Sequence, residues 1–193
     1  MFRVASLTAE KKQPSSRFRI RQYISLAPHF QISIDDYASE KGKYPPQEKW
    51  RRAVWGIASL MERFSQIQKI NKLNYDCVIL QREMVSTLHT FERLIKHPII
   101  LDVDDAIFLH RNGKFIEEIA KYSKAIICGN DFLYEKFKNW NQNVFIIPTP
   151  VDTNRFIKAA KSTEPNQKIT LGWVGSSSNL KYIYRIEKAL NDI

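Results

Sequence analysis

Residues 99–137 read IILDVDDAIFLHRNGKFIEEIAKYSKAIICGNDFLYEKF, and their pattern decides the fold. An apolar run at 99–103 leads to helical spacing at 114–122, and a second apolar run at 125–128 leads to another helical stretch at 131–140. Brief β-branched runs alternating with amphipathic helices are the signature of βαβ units, whose strands lie parallel because each returns through a helix.

Outward from this segment the alternation continues. Apolar runs at 2–7, 32–34, 77–80 and 144–147 read as strands. Helices are expected from Ser15 or Ser16 to about residue 28, over 47–73 and over 85–96, and Asp131 is a suitable N-cap for the helix at 131–140. The polar, proline-containing stretch 157–168 reads as a linker. Beyond it, ITLGWVGSSSNLKYIYRIEKAL at 169–190 reads as a strand, a small-residue loop and a helix from Asn179, the arrangement in which backbone N–H groups hold a phosphate. The expectation is therefore an α/β, Rossmann-like parallel sheet with helices on both faces over 1–156, then the first βα unit of an incomplete second domain at 169–193. That unit is expected to pack on the first domain or to be poorly ordered.

With 44% hydrophobic residues the chain can bury a sizeable core. Cys77 and Cys128 lie inside apolar runs and read as reduced core residues, and the four histidines show no metal-ligand spacing. No signal-peptide pattern or membrane-spanning run is visible, so the chain reads as cytoplasmic. The net charge of +10 is concentrated early, since residues 1–74 carry 14 Lys/Arg against 6 Asp/Glu. That asymmetry suits an anionic partner, whether phosphorylated substrate, lipid surface or nucleic acid, and suits solvated helix faces equally. The aromatics fall at core spacing and are not interleaved with basic residues, which counts against nucleic acid.

In the helix at 47–73, Trp50, Val54, Ile57, Met61, Phe64 and Ile67 form one stripe, which reads as core. Lys49, Arg51, Arg52, Arg63, Lys69 and Lys72 lie largely off it, and a basic polar face also suits an anionic membrane surface.

Parallel sheets bind ligands outside the carboxyl ends of their strands, so the residues following each apolar run are the candidates. They are Ser16, Arg17 and Arg19 after the first strand, Gln81, Arg82 and Glu83 after the third, Asp102, Asp104 and Asp105 with the fourth, and Gly129 and Asn130 after the fifth. Ser16 and Arg17 at a helix start would suit a phosphate. Three carboxylates in four residues repel unless something offsets them. Three readings stand: a divalent metal bridging a diphosphate, an aspartate that orients or deprotonates an acceptor hydroxyl, or loop hydrogen bonding and capping.

Several segments, in order and over nearly the whole chain, together resemble the bacterial GT-B type glycosyltransferases of the "glycosyl transferases group 1" (family four-like) branch. They are SSRFRIRQYI at 15–24, YDCVILQRE at 75–83, PIILDVDDAIF at 98–108, KAIICGNDFLYEKF at 124–137, FIIPTPVDTNRF at 145–156 and ITLGWVGSSSNLKYI at 169–183. The resemblance implies two Rossmann-like domains facing across a cleft, the first for the acceptor and the second for the nucleotide sugar. It implies retaining transfer, without a bound metal or cofactor, to a polysaccharide or lipid-linked acceptor.

Carried onto this sequence, the resemblance makes Asp104 and Asp105 the candidate catalytic residues. Ser16, Arg17, Arg19, Gln81, Arg82, Glu83 and Asn130 fall on the acceptor side, and Gly175 and Ser176 at the start of the donor diphosphate site. The basic pair and glutamate pair that grip the donor in such enzymes belong to later parts of the second domain. The chain is therefore expected to be a truncated glycosyltransferase, inactive alone, or else an acceptor-binding module or half of a split enzyme completed by a partner. It is expected to sit in the cytoplasm or against the inner face of the cell membrane.

Overall fold

In the computed structural model, which describes residues 1–11, 13–41, 45–85, 90–109, 113–157, 171–175 and 179–191, six strands form one sheet. They are β1 (Phe2–Glu10), β2 (Ile32–Ser39), β3 (Cys77–Gln81), β4 (Ile99–Val103), β5 (Ala125–Cys128) and β6 (Val144–Ile146). The order is β2-β1-β3-β4-β5-β6, and every neighbouring pair is parallel. The α/β, Rossmann-like expectation holds. The helices are α1 (Pro14–Arg19), α2 (Lys49–Asn71), α3 (Lys114–Tyr122) and α4 (Asp131–Phe137).

Right-handed crossovers put α1 on one face of this sheet and α2, α3 and α4 on the other, because the chain reverses direction across the sheet after β2. The core agrees. Ala5, Leu7, Val78, Leu80, Leu101, Val103, Ile126 and Cys128 cluster with Ile67 and Ile70 of α2, Ile116 and Ile119 of α3, and Leu133 and Phe137 of α4. Each such buried aliphatic or aromatic side chain contributes roughly 1.5–3 kcal/mol. Alternate strand residues point the opposite way, and there the sheet carries Ser6, Thr8, Gln81 and Asp102, all buried. The α1 face therefore mixes these polar groups with buried apolar residues such as Val4 and Cys77. Both cysteines are buried free thiols, and burial pushes Cys128 up to about 12.

Four expectations are corrected. β2 runs five residues past 34, because Asp35 and Asp36 are satisfied within the sheet: Asp36 accepts from Ser6 Oγ at 3.0 Å and Thr8 Oγ1 at 2.7 Å, and Asp35 from Tyr75 at 2.7 Å. The first helix ends at Arg19, and two 3-10 turns, Arg21–Tyr23 and Ala27–Phe30, follow. Arg19 reaches Asp102 on β4 while Arg21 pairs with Asp36 on β2. Side chains two apart do not share a helix face, so a continuous helix could not serve both neighbours at once. Residues 85–96 form no α-helix where described, only a 3-10 turn at Glu92–Leu94. Here the buried Glu92 carboxylate accepts from Met84 N at 3.0 Å and Thr90 Oγ1 at 2.6 Å, a local alternative to helical bonding. The N-cap of α4 is Asn130, whose side chain accepts from Leu133 N, and Asp131 sits in the first turn.

The largest departure concerns α2. Its stripe is core only at the carboxyl end, where Ile67 and Ile70 are fully buried. Trp50, Val54, Ile57 and Met61 are 60–68% exposed, with Phe64 at 42%. The buried side of the helix before Ile67 instead carries Ser59 and Arg63.

The chain divides into two compact units, Met1–Phe156 and Ile157–Ile193. Among its described residues the second holds the short helices α5 (Leu180–Tyr184) and α6 (Glu187–Asn191). Of the strand expected there, residues 171–174 carry no strand and 169–170 lie outside the described residues.

Candidate functional site

The switch in direction of the sheet lies between β1 and β3, and the carboxyl ends of those strands open a crevice there. Ser16, the third residue of α1, is buried, and its hydroxyl donates to Gln81 Oε1 at 2.9 Å, tying the start of α1 to the end of β3. One turn on, Arg19 is buried against Asp102. Its Nε donates to Oδ1 and Oδ2 at 2.9 and 2.8 Å, and its Nη2 to Oδ1 at 2.5 Å. Nη1 donates to the Ile147 carbonyl and to Thr149 Oγ1, both at 3.1 Å, so Arg19 ties α1 to β4 and to the segment after β6. Burial pushes the Asp102 carboxyl up, and Arg19 draws it back in part.

The three aspartates therefore part company. Asp102 is committed to Arg19. Asp105 is exposed and pairs with Arg82 Nη1 at 3.2 Å. Asp104 is half-buried, and its Oδ1 is buried with no partner among the described residues. Burial pushes its carboxyl above the usual range, the charge of Asp105 adds to this, and Arg82 opposes it. β5 ends close by: a Cβ on Gly129 would stand 3.5 Å from Asp104 Cα and 3.7 Å from Arg19 Nη1. Among the described residues no group of three or more His, Cys, Asp or Glu is placed to hold a metal ion.

A half-buried carboxylate with a free oxygen and a raised proton affinity is suited to accept a proton from a hydroxyl laid against it. Beside it, Arg82 has φ +65°. A left-handed arginine costs on the order of 1–3 kcal/mol, and such strain gathers at functional sites.

The expected site residues thus gather in part. Ser16, Arg19, Gln81, Arg82, Asp104 and Asp105 converge at the ends of β1, β3 and β4 through the contacts above. Glu83 is half-buried in the turn after β3. Arg17 is exposed, with its guanidinium 4.4 Å from the centre of the Phe18 ring. Asn130, after β5, spends its carbonyl on capping α4. Gly175 belongs to the second unit, where Trp173 lies so close that a Cβ would overlap its ring, and Ser176 lies outside the described residues. Asp102 and Thr149 were not singled out in the sequence as partners of Arg19. The parity of β4 was the available signal, since Asp102 points away from the face that Leu101 and Val103 share.

A larger hollow of about 1220 Å³ lies at the opposite, amino end of β4 and β5, lined by His97, Tyr122 and Asn141 among others. Its Asn141 amide already donates to the Ala120 and Ser123 carbonyls, both at 2.8 Å, and no orphaned polar atom lies there among the described residues. The carboxyl end, with its unpartnered groups, is the stronger site despite its smaller volume. No protein-family model matches this chain, and no curated protein matches it.

Proposed function

We propose that residues 1–156 form the acceptor-binding domain of a GT-B type glycosyltransferase that transfers a sugar, with retention, from a nucleotide-sugar donor to a polysaccharide or lipid-linked acceptor. The observation that carries this reading is Asp104. At the carboxyl edge of a parallel sheet this half-buried residue offers a carboxyl of raised proton affinity, with one buried and unpartnered oxygen, beside Arg82 and Asp105. An acceptor hydroxyl held there would give its hydrogen bond, and then its proton, to that oxygen. A second domain would hold the nucleotide sugar.

The exposed stripe of α2 supports a place for this domain on an anionic membrane surface. Trp50, Val54, Ile57 and Met61 would enter the headgroup region, with Lys49, Arg51 and Arg52 beside them. Among the described residues no helix is long and apolar enough to cross a membrane.

The test is retention of the purified chain on an array of bacterial polysaccharide fragments and lipid-linked oligosaccharides. At least one glycan is expected to bind, and Asp104→Ala to weaken it by about tenfold, the loss of one hydrogen bond to a charged group. An array on which nothing is retained contradicts the reading.

A further inference from the structure

Beneath the first half of α2, between the end of β1 and the turn after β3, lies a small cavity of about 60 Å³. Gln13, Trp55, Ser59, Arg63, Gln81 and Met84 are among its lining residues. Four of them bring a buried polar atom that has no hydrogen-bond partner among the described residues: Gln13 Oε1, Trp55 Nε1, Ser59 Oγ and Gln81 Nε2. Ser59 and Gln81 are only 4% and 3% exposed, so solvent does not satisfy them. Buried polar groups are almost always paired. Four orphans sharing one cavity mark a place built to be filled.

The orphans specify the occupant. Trp55 Nε1 and Gln81 Nε2 are donors, Gln13 Oε1 is an acceptor, and the Ser59 hydroxyl is both. An anion would leave Gln13 Oε1 unsatisfied, and the charges lining the cavity are mixed, Lys41, Arg63 and Arg82 against Glu10 and Glu83, with the Arg63 guanidinium already spent on protein acceptors. A cation would leave Trp55 and Gln81 without acceptors and would meet the buried Arg63 guanidinium. Arg63 is itself held rigidly by the Met84, Tyr37 and Thr8 carbonyls at 3.2, 3.2 and 2.7 Å and by Gln66 Oε1 at 2.8 Å, so it forms a fixed wall. Neutral hydroxyl groups, each both donor and acceptor, match the mixed set. The indole of Trp55 and the side chains of Met84 and Val85 offer apolar surface for the carbons that carry them. Since one water needs roughly 10–15 Å³ on this measure, the cavity accepts about four oxygen-sized groups, the edge of a sugar ring and not a whole disaccharide.

We propose that this cavity binds the hydroxylated edge of a neutral sugar or polyol. In naming that sugar as part of the acceptor, the inference rests on the acceptor-domain reading; the binding itself rests on the four orphaned atoms alone.

The experiment titrates the 15N-labelled 193-residue chain with methyl glucoside, methyl mannoside, N-acetylglucosamine and myo-inositol, with inorganic phosphate as the anionic probe. The readout is the indole N–H resonance of Trp55, one of four tryptophans, assigned through Trp55→Phe. At least one neutral compound is expected to shift that resonance saturably at millimolar concentration, and Ser59→Ala and Gln81→Leu each to weaken binding about tenfold. Gln81→Leu also breaks the Ser16 bond, so Ser59→Ala serves as the milder variant. No shift up to about 100 mM would overturn the inference, the cavity then holding only water. A response to phosphate alone, or one unchanged in both variants, would overturn it too. A saturable Trp55 shift in a chain that no glycan array retains would keep the cavity and remove the acceptor-domain reading.

Discussion

At the residue scale, Asp102 and Asp104, two positions apart in sequence, carry opposite burdens. Asp102 is inside, with Arg19 side-chain exposure at 3% and its own at 4%. Removing one partner of such a pair leaves a buried charge, so Asp102→Asn should cost roughly 3–5 kcal/mol in urea unfolding, and Arg19→Met combined with Asp102→Leu should recover much of it. A single-variant loss below about 1 kcal/mol would mean that the pair does not hold the sheet edge. Asp104 behaves differently. Its folded carboxyl is raised above the ordinary 3.8, chiefly by burial. Full stability is therefore present below that value and is lost as pH rises through the folded value. Asp104→Asn should then be more stable than the parent chain at neutral pH, with an advantage that shrinks to nothing near pH 3.8. Equal stability at all pH would show that Asp104 is not desolvated. The sequence exposed this acidic cluster as a whole. It did not separate the roles, because the separation depends on which strand face each residue takes and on an arginine about 80 positions earlier.

At the scale of elements, periodicity located α2, α3 and the central strands closely, because buried faces impose their period on the sequence. It placed α2 but not its neighbours. The stripe from Trp50 to Phe64 spans about 21 Å of helix and faces outward, although its spacing is that of a core helix. Only contact partners distinguish the two cases. Ile57→Glu with Met61→Glu should change stability by no more than about 0.5 kcal/mol each, as for exposed positions. The same pair should abolish co-sedimentation with vesicles containing anionic lipid; binding that survives the pair, or that never depended on anionic lipid, would sink the membrane role. Ile67→Ala, by contrast, should cost roughly 2–5 kcal/mol, because its site is fully buried. The overlooked end of β2 and the lost helix at 85–96 share one cause. Asp36 and Glu92 are of residue types that mostly stay exposed, but distant or local hydrogen-bond donors draw them into the fold.

At the scale of the molecule, six parallel strands with one reversal of order set a crevice at the carboxyl ends of β1 and β3, and the candidate residues fall beside it. That much was legible, since βα alternation dictates parallel strands and parallel strands dictate where their loops gather. The orphaned groups of Gln13, Trp55 and Ser59 were not, because a glutamine, a tryptophan and a serine carry no motif until the fold closes over them. The proposed site for a hydroxylated acceptor is the carboxyl edge and not the larger amino-edge hollow. The most direct measurement is the amide shift map of the labelled chain with the glycan it retains. Perturbations are expected at Gln81, Arg82, Asp104 and Gly129; a map confined to His97, Tyr122 and Asn141 would contradict the carboxyl-edge site.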